Sequence, residues 1–106
     1  MASLCLLDDV GAISQRWELA NQPLAVGRDE SADVKINDES LSRRHFVILR
    51  EGENYVLKDL GSQNGTWVGG QRAKAAAKLH HNECIAAGHT LFLFREQPLP
   101  ATDWSF

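Results

Sequence analysis

The sequence predicts an all-β fold, a sandwich of two antiparallel sheets. Short runs of strand-forming residues recur at close spacing, turn residues separate them, and helix-forming stretches are scarce. The chain of 106 residues has the usual size of one domain. Hydrophobic residues make up 43% of it and charged residues 24%, so one packed core is expected.

About nine strands are predicted along the chain. The last run, Leu91 to Phe94, is apolar on both sides, which indicates a strand in the core. Trp17 and Trp67 lie among alternating apolar residues and are also expected in the core. The predicted strands are Ser3–Leu7, Ser14–Leu19, Pro23–Gly27, Val34–Ile36, His45–Arg50, Tyr55–Asp59, Thr66–Val68, Glu83–Ala86 and Leu91–Arg95.

Turn residues predict the connections between these strands. Residues 51–54 read Glu-Gly-Glu-Asn and separate two apolar runs, which predicts a hairpin. Asn64–Gly65 adopts positive φ at little cost and predicts a second hairpin. Gly69–Gly70 and Gly88–His89 predict two further reversals of the chain.

Two segments do not follow the strand pattern. Residues 73–78 read AKAAAK, a run of strong helix formers that is too short for a stable helix. We expect a connection with one helical turn there. Residues 97–106 contain Pro98 and Pro100 and are predicted to be a linker. The domain is therefore assigned to residues 1–96.

The charge and the cysteines of the chain restrict its partners and its location. A net charge of -3 and a pI near 5.7 argue against a general affinity for nucleic acid or an anionic membrane. No apolar stretch approaches the roughly 18 residues of a membrane helix. Cys5 and Cys84 lack the spacing of a secreted disulfide framework and are expected to be reduced. The sequence thus predicts a cytoplasmic protein whose anion site, if it has one, is local.

Three short polar motifs lie in predicted loops. They are Gly27–Arg28 after one strand, SRRH at residues 42–45 before another, and GSQNGT at residues 61–66 before a third. The loops at one end of a β-sandwich converge, so residues distant in sequence can build one site on a rigid scaffold. The motifs are therefore expected to form a single site.

The residue types in these motifs suit a phosphate group. A phosphomonoester carries about -1.5 to -2 charge and three strong acceptor oxygens, so its receptor needs a guanidinium fork and neutral donors. Arg28, Ser42 and Arg43 supply both. The side-chain amide of Asn64 has one donor group and one acceptor, and can pair with the main chain of an extended peptide.

These motifs, in this order and spacing, resemble the signature of forkhead-associated domains. The resemblance covers roughly residues 24–94, including DLGSQNGTWV at 59–68 and the final LFLF run. At residues 81–83 the chain has His-Asn-Glu where the family pattern has a glycine and an acid. The resemblance implies a module that binds phosphothreonine in a partner protein segment, with no enzymatic activity, metal or cofactor. The alternative is a scaffold of the same family that binds its partner without phosphate.

The resemblance also implies a role for each motif residue. Arg28, Ser42 and Arg43 would contact the phosphate, and Gln63 would lie beside it. Asn64 would hold the peptide main chain. The residues expected to support the site structurally are Gly27, His45, Gly65 and Thr66. The linker-like tail further indicates that the domain is part of a longer regulatory protein.

Two other kinds of site are disfavoured by the residues themselves. Residues 80–84 contain two histidines, a glutamate and a cysteine, but neighbouring residues on a strand point to opposite faces and no second ligand pair is nearby. Ser42 with His45 resembles a nucleophile with its base, but no acid partner or oxyanion loop is evident. Neither a metal site nor an enzyme is expected.

Overall fold

The computed structural model describes residues 2–96 and contains eleven strands in two sheets, which confirms the predicted sandwich. The strands are β1 (Ala2–Leu7), β2 (Ile13–Leu19), β3 (Leu24–Gly27), β4 (Val34–Lys35), β5 (Phe46–Glu51), β6 (Asn54–Asp59), β7 (Thr66–Val68), β8 (Gln71–Arg72), β9 (Ala77–Lys78), β10 (Glu83–Ala87) and β11 (Thr90–Glu96). The predicted linker at 97–106 lies outside the described residues. Within the described range, no helix is long and apolar enough to cross a bilayer.

The two sheets have six and five strands. Their orders are β2-β1-β11-β10-β7-β8 and β4-β3-β5-β6-β9. The pairs in the described chain are antiparallel, except that β3 and β4 pair in parallel, with Val26 opposite Val34. Because β3 and β4 run in the same direction, residues 28–33 must turn back along β3 before β4 begins.

The core lies between the two sheets. In β11, Phe92 and Phe94 are fully buried, whereas Leu91 is 45% exposed, so the last strand has one inward and one outward face. The rings of Phe46 and Phe92 meet edge to face with their centroids 5.7 Å apart, which joins the two layers. The largest fully buried apolar side chains are Phe46, Phe92, Phe94, Leu4, Leu41, Ile48, Leu57, Ile85, Val26 and Val34.

The predicted connections are mostly confirmed. Residues 51–54, 69–70 and 88–89 form the reversals of β5–β6, β7–β8 and β10–β11. The hairpin predicted at Asn64–Gly65 is wrong, because β6 and β7 belong to different sheets and residues 60–65 cross between them. The third polar motif therefore lies at the end of the sandwich where the chain passes from one sheet to the other.

The helical turn predicted at residues 73–78 is also wrong. This segment contains bends followed by β9, which pairs with β6 so that Ala77 lies opposite Leu57. The Leu79 amide then donates to the Tyr55 carbonyl at 2.8 Å. Pairing at a sheet edge satisfies backbone groups that one isolated helical turn leaves open, and it overrides the helix propensity of the alanines.

The two tryptophans expected in the core are only half-buried. Trp17 packs against the edge of the core. Trp67 alternates with the buried Thr66 and Val68 in β7, and the Arg72 guanidinium lies 5.5 Å from its ring centroid. Trp67 is therefore a partly covered residue of the outer face.

The departure from the family pattern at residues 81–83 leaves the turn before β10 intact. Asn82 has φ 68°, in the left-handed region, where asparagine is tolerated better than most residues other than glycine. The Glu83 amide donates to the His80 carbonyl at 3.0 Å and closes the turn. Asparagine thus occupies a position that suits glycine.

Candidate functional site

Four of the connections at one end of the sandwich are joined to one another by hydrogen bonds, and we call this end the loop end. They comprise residues 28–33, 36–45, 60–65 and 88–89. Strand directions bring them together, because β3 and β6 end where β5 begins, and Thr66 at the start of β7 lies opposite Ala87 at the end of β10. All three polar motifs therefore lie at the loop end.

Gly27 allows the first two motifs to approach each other through their backbones. A Cβ atom at this position would overlap the carbonyl of Arg43, so a larger residue does not fit. The Arg28 amide donates to the Ser42 carbonyl at 3.1 Å, and the Asp29 amide donates to the Arg43 carbonyl at 3.0 Å. These bonds fix the loop of Arg28 against the loop of Ser42.

Arg28 is exposed but its side chain is held in place. Its Nε donates to the Leu41 carbonyl at 3.0 Å. Guanidinium is planar, so this one bond constrains the directions in which its four terminal N–H groups point. Among residues 2–96 those terminal groups donate no hydrogen bond, so the fork is available to a ligand.

Ser42 connects the second motif to the third. Its Oγ accepts a hydrogen bond from the Gln63 amide at 3.1 Å, which leaves the hydroxyl proton able to donate elsewhere. The hydroxyl is half-buried, and the Gln63 side chain is exposed. Ser42 thus presents a neutral donor close to the backbone of Arg28.

His45 is fully buried and bridges the same two loops from below. Its Nδ1 accepts the Ser42 amide proton at 3.0 Å, so Nε2 carries the ring proton and donates it to the Gly65 carbonyl at 2.8 Å. Strand β5 starts at Phe46, one residue later than predicted. The His45 amide still donates to the Val26 carbonyl at 2.8 Å. His45 therefore ties the loop of Ser42 to the loop of Gly65.

Asn64 and Arg43 complete the exposed surface of the loop end. The Asn64 side-chain Nδ2 donates to the Ser40 carbonyl at 2.8 Å, which leaves its Oδ1 and second amide proton for other partners. Arg43 is exposed and close to Asp29. Hydrogen bonds from Ser31 chiefly lower the pKa of Asp29, and the charge of Arg43 lowers it further. Arg28 and Arg43 thus place two positive charges on the exposed surface of the loop end, although its four connections also contain acidic residues.

Asp59 holds the third motif in its conformation, a role that the sequence analysis missed. Its carboxylate accepts the amides of Gly61 and Ser62 at 3.0 and 2.9 Å, and the hydroxyls of Ser62 and Thr66 at 2.5 and 2.6 Å. Thr66 is fully buried. The sequence contains the pattern of a capped turn, in which an aspartate accepts the backbone amides of the second and third residues after it.

These contacts predict a loss of stability in acid. Burial raises the pKa of Asp59, but hydrogen bonds from Ser62 and Thr66 outweigh burial and lower it. A carboxyl with a lowered pKa stabilises the fold above its unfolded pKa of about 3.9, and the stabilisation is lost as the pH falls through the folded value. Thermal melts should show a falling melting temperature below about pH 4.

The control for this prediction is Asp59→Asn. The variant should melt at a lower temperature than the parent at pH 7, and the difference should shrink as the pH falls. A variant that melts like the parent at pH 7 would show that the carboxylate does not hold the loop.

His80, His81 and Glu83 form other contacts. The His80 amide donates to the Glu83 carboxylate at 2.8 Å, and His81 Nδ1 accepts the Glu96 amide proton at 2.9 Å. In the part of the chain that the structure describes, no three of the acids, histidines and cysteines gather as metal ligands would. These side chains cap a turn and an adjacent strand end.

Comparison with known proteins places this geometry in a family. The profile of the FHA domain matches residues 24–88. The FHA domain-containing protein FhaB of Mycolicibacterium smegmatis is 30% identical over 80 residues, which are 76% of this chain and 52% of FhaB. The FHA domain of CT664 from Chlamydia trachomatis is 31% identical, with a TM-score of 0.86 over 92% of this chain and 98% of that chain.

A second solved structure, from an analysis of phosphothreonine-dependent FHA domain interactions, is also 31% identical. It has a TM-score of 0.83, over 92% of this chain and 98% of the other. The chain spans about half the length of the curated relatives FhaB and the oxoglutarate dehydrogenase inhibitor of Corynebacterium jeikeium. Profile, sequence and fold agree, and the chain belongs to the forkhead-associated (FHA) domain family.

Proposed function

We propose that this domain is an interaction module that binds phosphothreonine in an extended segment of a partner protein. The observation that carries the proposal is the convergence of Arg28, Ser42 and Asn64 at the loop end. The first two are joined by a backbone hydrogen bond, and Ser42 is bonded to the residue next to Asn64. A guanidinium fork, a hydroxyl donor and a side-chain amide thus lie on adjoining loops supported by the sandwich.

Each of these residues has a role that its contacts support. The terminal N–H groups of Arg28 and the hydroxyl of Ser42 would bind the phosphate oxygens, and Arg43 would add positive charge. Gln63 would lie beside the phosphate. Asn64 would pair its free Oδ1 and amide proton with the peptide main chain. The supporting residues are Gly27, His45, Gly65 and Thr66.

The contacts of His45 favour binding over catalysis. A base for Ser42 would need a ring nitrogen on the hydroxyl, but Nδ1 is occupied by the Ser42 backbone amide and Nε2 by the Gly65 carbonyl. A serine without a base remains a weak nucleophile. We therefore propose that the domain has no enzymatic activity and needs no cofactor.

The test compares matched peptides that carry phosphothreonine, phosphoserine or threonine at one position, in a sequence selected from an oriented phosphothreonine library. We expect binding of the phosphothreonine peptide and none measurable of the threonine peptide. Phosphoserine should bind about 5- to 150-fold more weakly, because its missing methyl group leaves a gap that costs about 1 to 3 kcal/mol. The methyl also restricts χ1, so phosphothreonine loses less freedom on binding.

Titrations should be run above about pH 7, where a phosphate with a second pKa near 6 is mostly dianionic. Equal binding of all three peptides would contradict the proposal and favour a scaffold that binds without phosphate. Equal binding of the two phosphopeptides would leave a general phosphate site with no pocket for the methyl group.

The context of the domain is part of the same proposal. We propose that residues 1–96 form the binding domain and 97–106 a linker to further regulatory sequence, since this chain matches only about half of FhaB. The partner is a phosphothreonine-containing protein segment and neither nucleic acid nor a membrane. A cytoplasmic location is supported by two free cysteines, the buried Cys5 and the exposed Cys84.

A further inference from the structure

A carboxylate outside the proposed contacts joins two loops of the loop end. Asp38 accepts four hydrogen bonds. Its Oδ1 accepts the Ser40 amide at 2.9 Å and the Ser40 hydroxyl at 2.6 Å. Its Oδ2 accepts the His89 amide at 3.0 Å and the Thr90 hydroxyl at 2.7 Å. One oxygen therefore holds the loop 36–45, and the other holds the turn between β10 and β11.

The turn between β10 and β11 is packed directly against Ser40. Gly88 has φ 58°, and a Cβ atom there would overlap the Ser40 hydroxyl. The His89 amide also donates to Ser40 Oγ at 2.9 Å. Because the turn closes a paired hairpin with Ala87 opposite Thr90, Ser40 rests on a firmly paired part of the six-stranded sheet.

Ser40 in turn restrains the side chain of Asn64 through a hydrogen bond. Its carbonyl accepts one Nδ2 proton of the exposed Asn64 side chain at 2.8 Å. An exposed asparagine otherwise samples several rotamers, and this bond restricts the plane of its amide. The contacts thus run from the β10–β11 turn through Asp38 and Ser40 to Asn64.

We propose that Asp38 is a positioning residue for peptide recognition, which fixes the Ser40 carbonyl and through it the amide of Asn64. The inference rests on the proposed function. It concerns binding of the peptide main chain and not binding of the phosphate. All four partners of Asp38 are donors, so it acts as an ionised acceptor. Partial burial raises the pKa of Asp38, but hydrogen bonds from Ser40, Thr90 and His89 lower it to about 2, so it is ionised at neutral pH.

The substitution that tests this role is Asp38→Asn, which keeps the shape of the side chain but cannot accept four bonds. Two probes are titrated, a phosphothreonine peptide from the library and inorganic phosphate. Affinity for the peptide should fall about tenfold, the effect of losing one well-oriented hydrogen bond. Affinity for inorganic phosphate should change less than about twofold, because Arg28 and Ser42 are tied by separate contacts.

A second readout needs no ligand. The side-chain amide resonances of Asn64 in the free protein should move toward the values of an unbonded asparagine in Asp38→Asn. Thr90→Val, which removes one of the four donors to Asp38, should shift these resonances less and in the same direction. This milder variant keeps the test decisive if Asp38→Asn does not fold.

The control is Val56→Ala, a buried truncation in β6 toward the end of the sandwich away from the loop end. It should lower the melting temperature and leave the affinities for both probes unchanged. If Asp38→Asn behaved like this control, or left the Asn64 resonances in place, the inference would be overturned. If the parent bound no phosphothreonine peptide, the proposed function would fail, and the Asn64 resonances would still decide the role of Asp38.

Discussion

Replacing Arg28 by alanine is expected to remove most of the phosphopeptide affinity and leave the fold intact. Each charge-assisted hydrogen bond to the phosphate contributes about 1.5 to 3 kcal/mol, so losing even one weakens binding roughly tenfold or more. The side chain is exposed, and within residues 2–96 its hydrogen bonding is limited to the Leu41 carbonyl, so the melting temperature should change little. Calorimetric titration and a thermal melt of the same sample measure the two effects.

Two further variants sharpen this prediction. Arg28→Lys should recover only part of the affinity, because lysine keeps the charge but not the planar fork. Arg16→Ala removes another exposed arginine, from β2, and should bind like the parent. Binding by Arg28→Ala within about threefold of the parent, a difference of roughly 0.7 kcal/mol, would contradict the role assigned to Arg28.

Replacing His45 by alanine is expected to cause the largest loss of stability. The variant loses two hydrogen bonds, leaves the Ser42 amide and the Gly65 carbonyl without partners, and creates a cavity at a fully buried position. Together these effects should cost about 3 to 5 kcal/mol of unfolding free energy. Peptide affinity should fall as well, because the two loops lose their shared support. Urea unfolding followed by titration below the transition measures both.

His89→Ala is the matched control for His45→Ala. His89 is exposed at the same loop end, and its contacts to Asp38 and Ser40 use the backbone amide, which alanine keeps. This variant should be as stable as the parent. If His45→Ala were instead as stable as the parent but unable to bind, His45 would be a direct ligand contact and not a support.

The convergence of the three polar motifs could be predicted from the sequence, because it is encoded locally. Arg28, Ser42 and Asn64 lie in short motifs next to strands, and strand direction alone brings such loops together. Asp59 was missed, although its partners Gly61 and Ser62 lie only two and three residues away. Its capping pattern is therefore encoded locally, in a residue that lies beneath the loop and not on its exposed surface.

Other features depend on contacts that no local pattern contains. Asp38 and Thr90 are 52 positions apart, so only the folded sandwich brings them within hydrogen-bonding distance. The alanine-rich residues 73–78 have high helix propensity. The last two of them nevertheless form β9, because they pair with backbone groups at the edge of β6 that would otherwise be unpaired. Such competition between local preference and an available edge is decided by the whole fold.

The adjacent pairing of β1 and β11 determines how the domain responds to mechanical force. Ala2 lies opposite Glu96, at the end of the sandwich away from the loop end. Tension applied between Ala2 and Glu96 separates the β1–β11 residue pairs one at a time, beginning with Ala2 and Glu96. Tension between a ligand at the loop end and either position runs along the strands and loads many interstrand hydrogen bonds at once, in shear. The domain should therefore open at a lower force when pulled between Ala2 and Glu96 than when pulled through a ligand bound at the loop end.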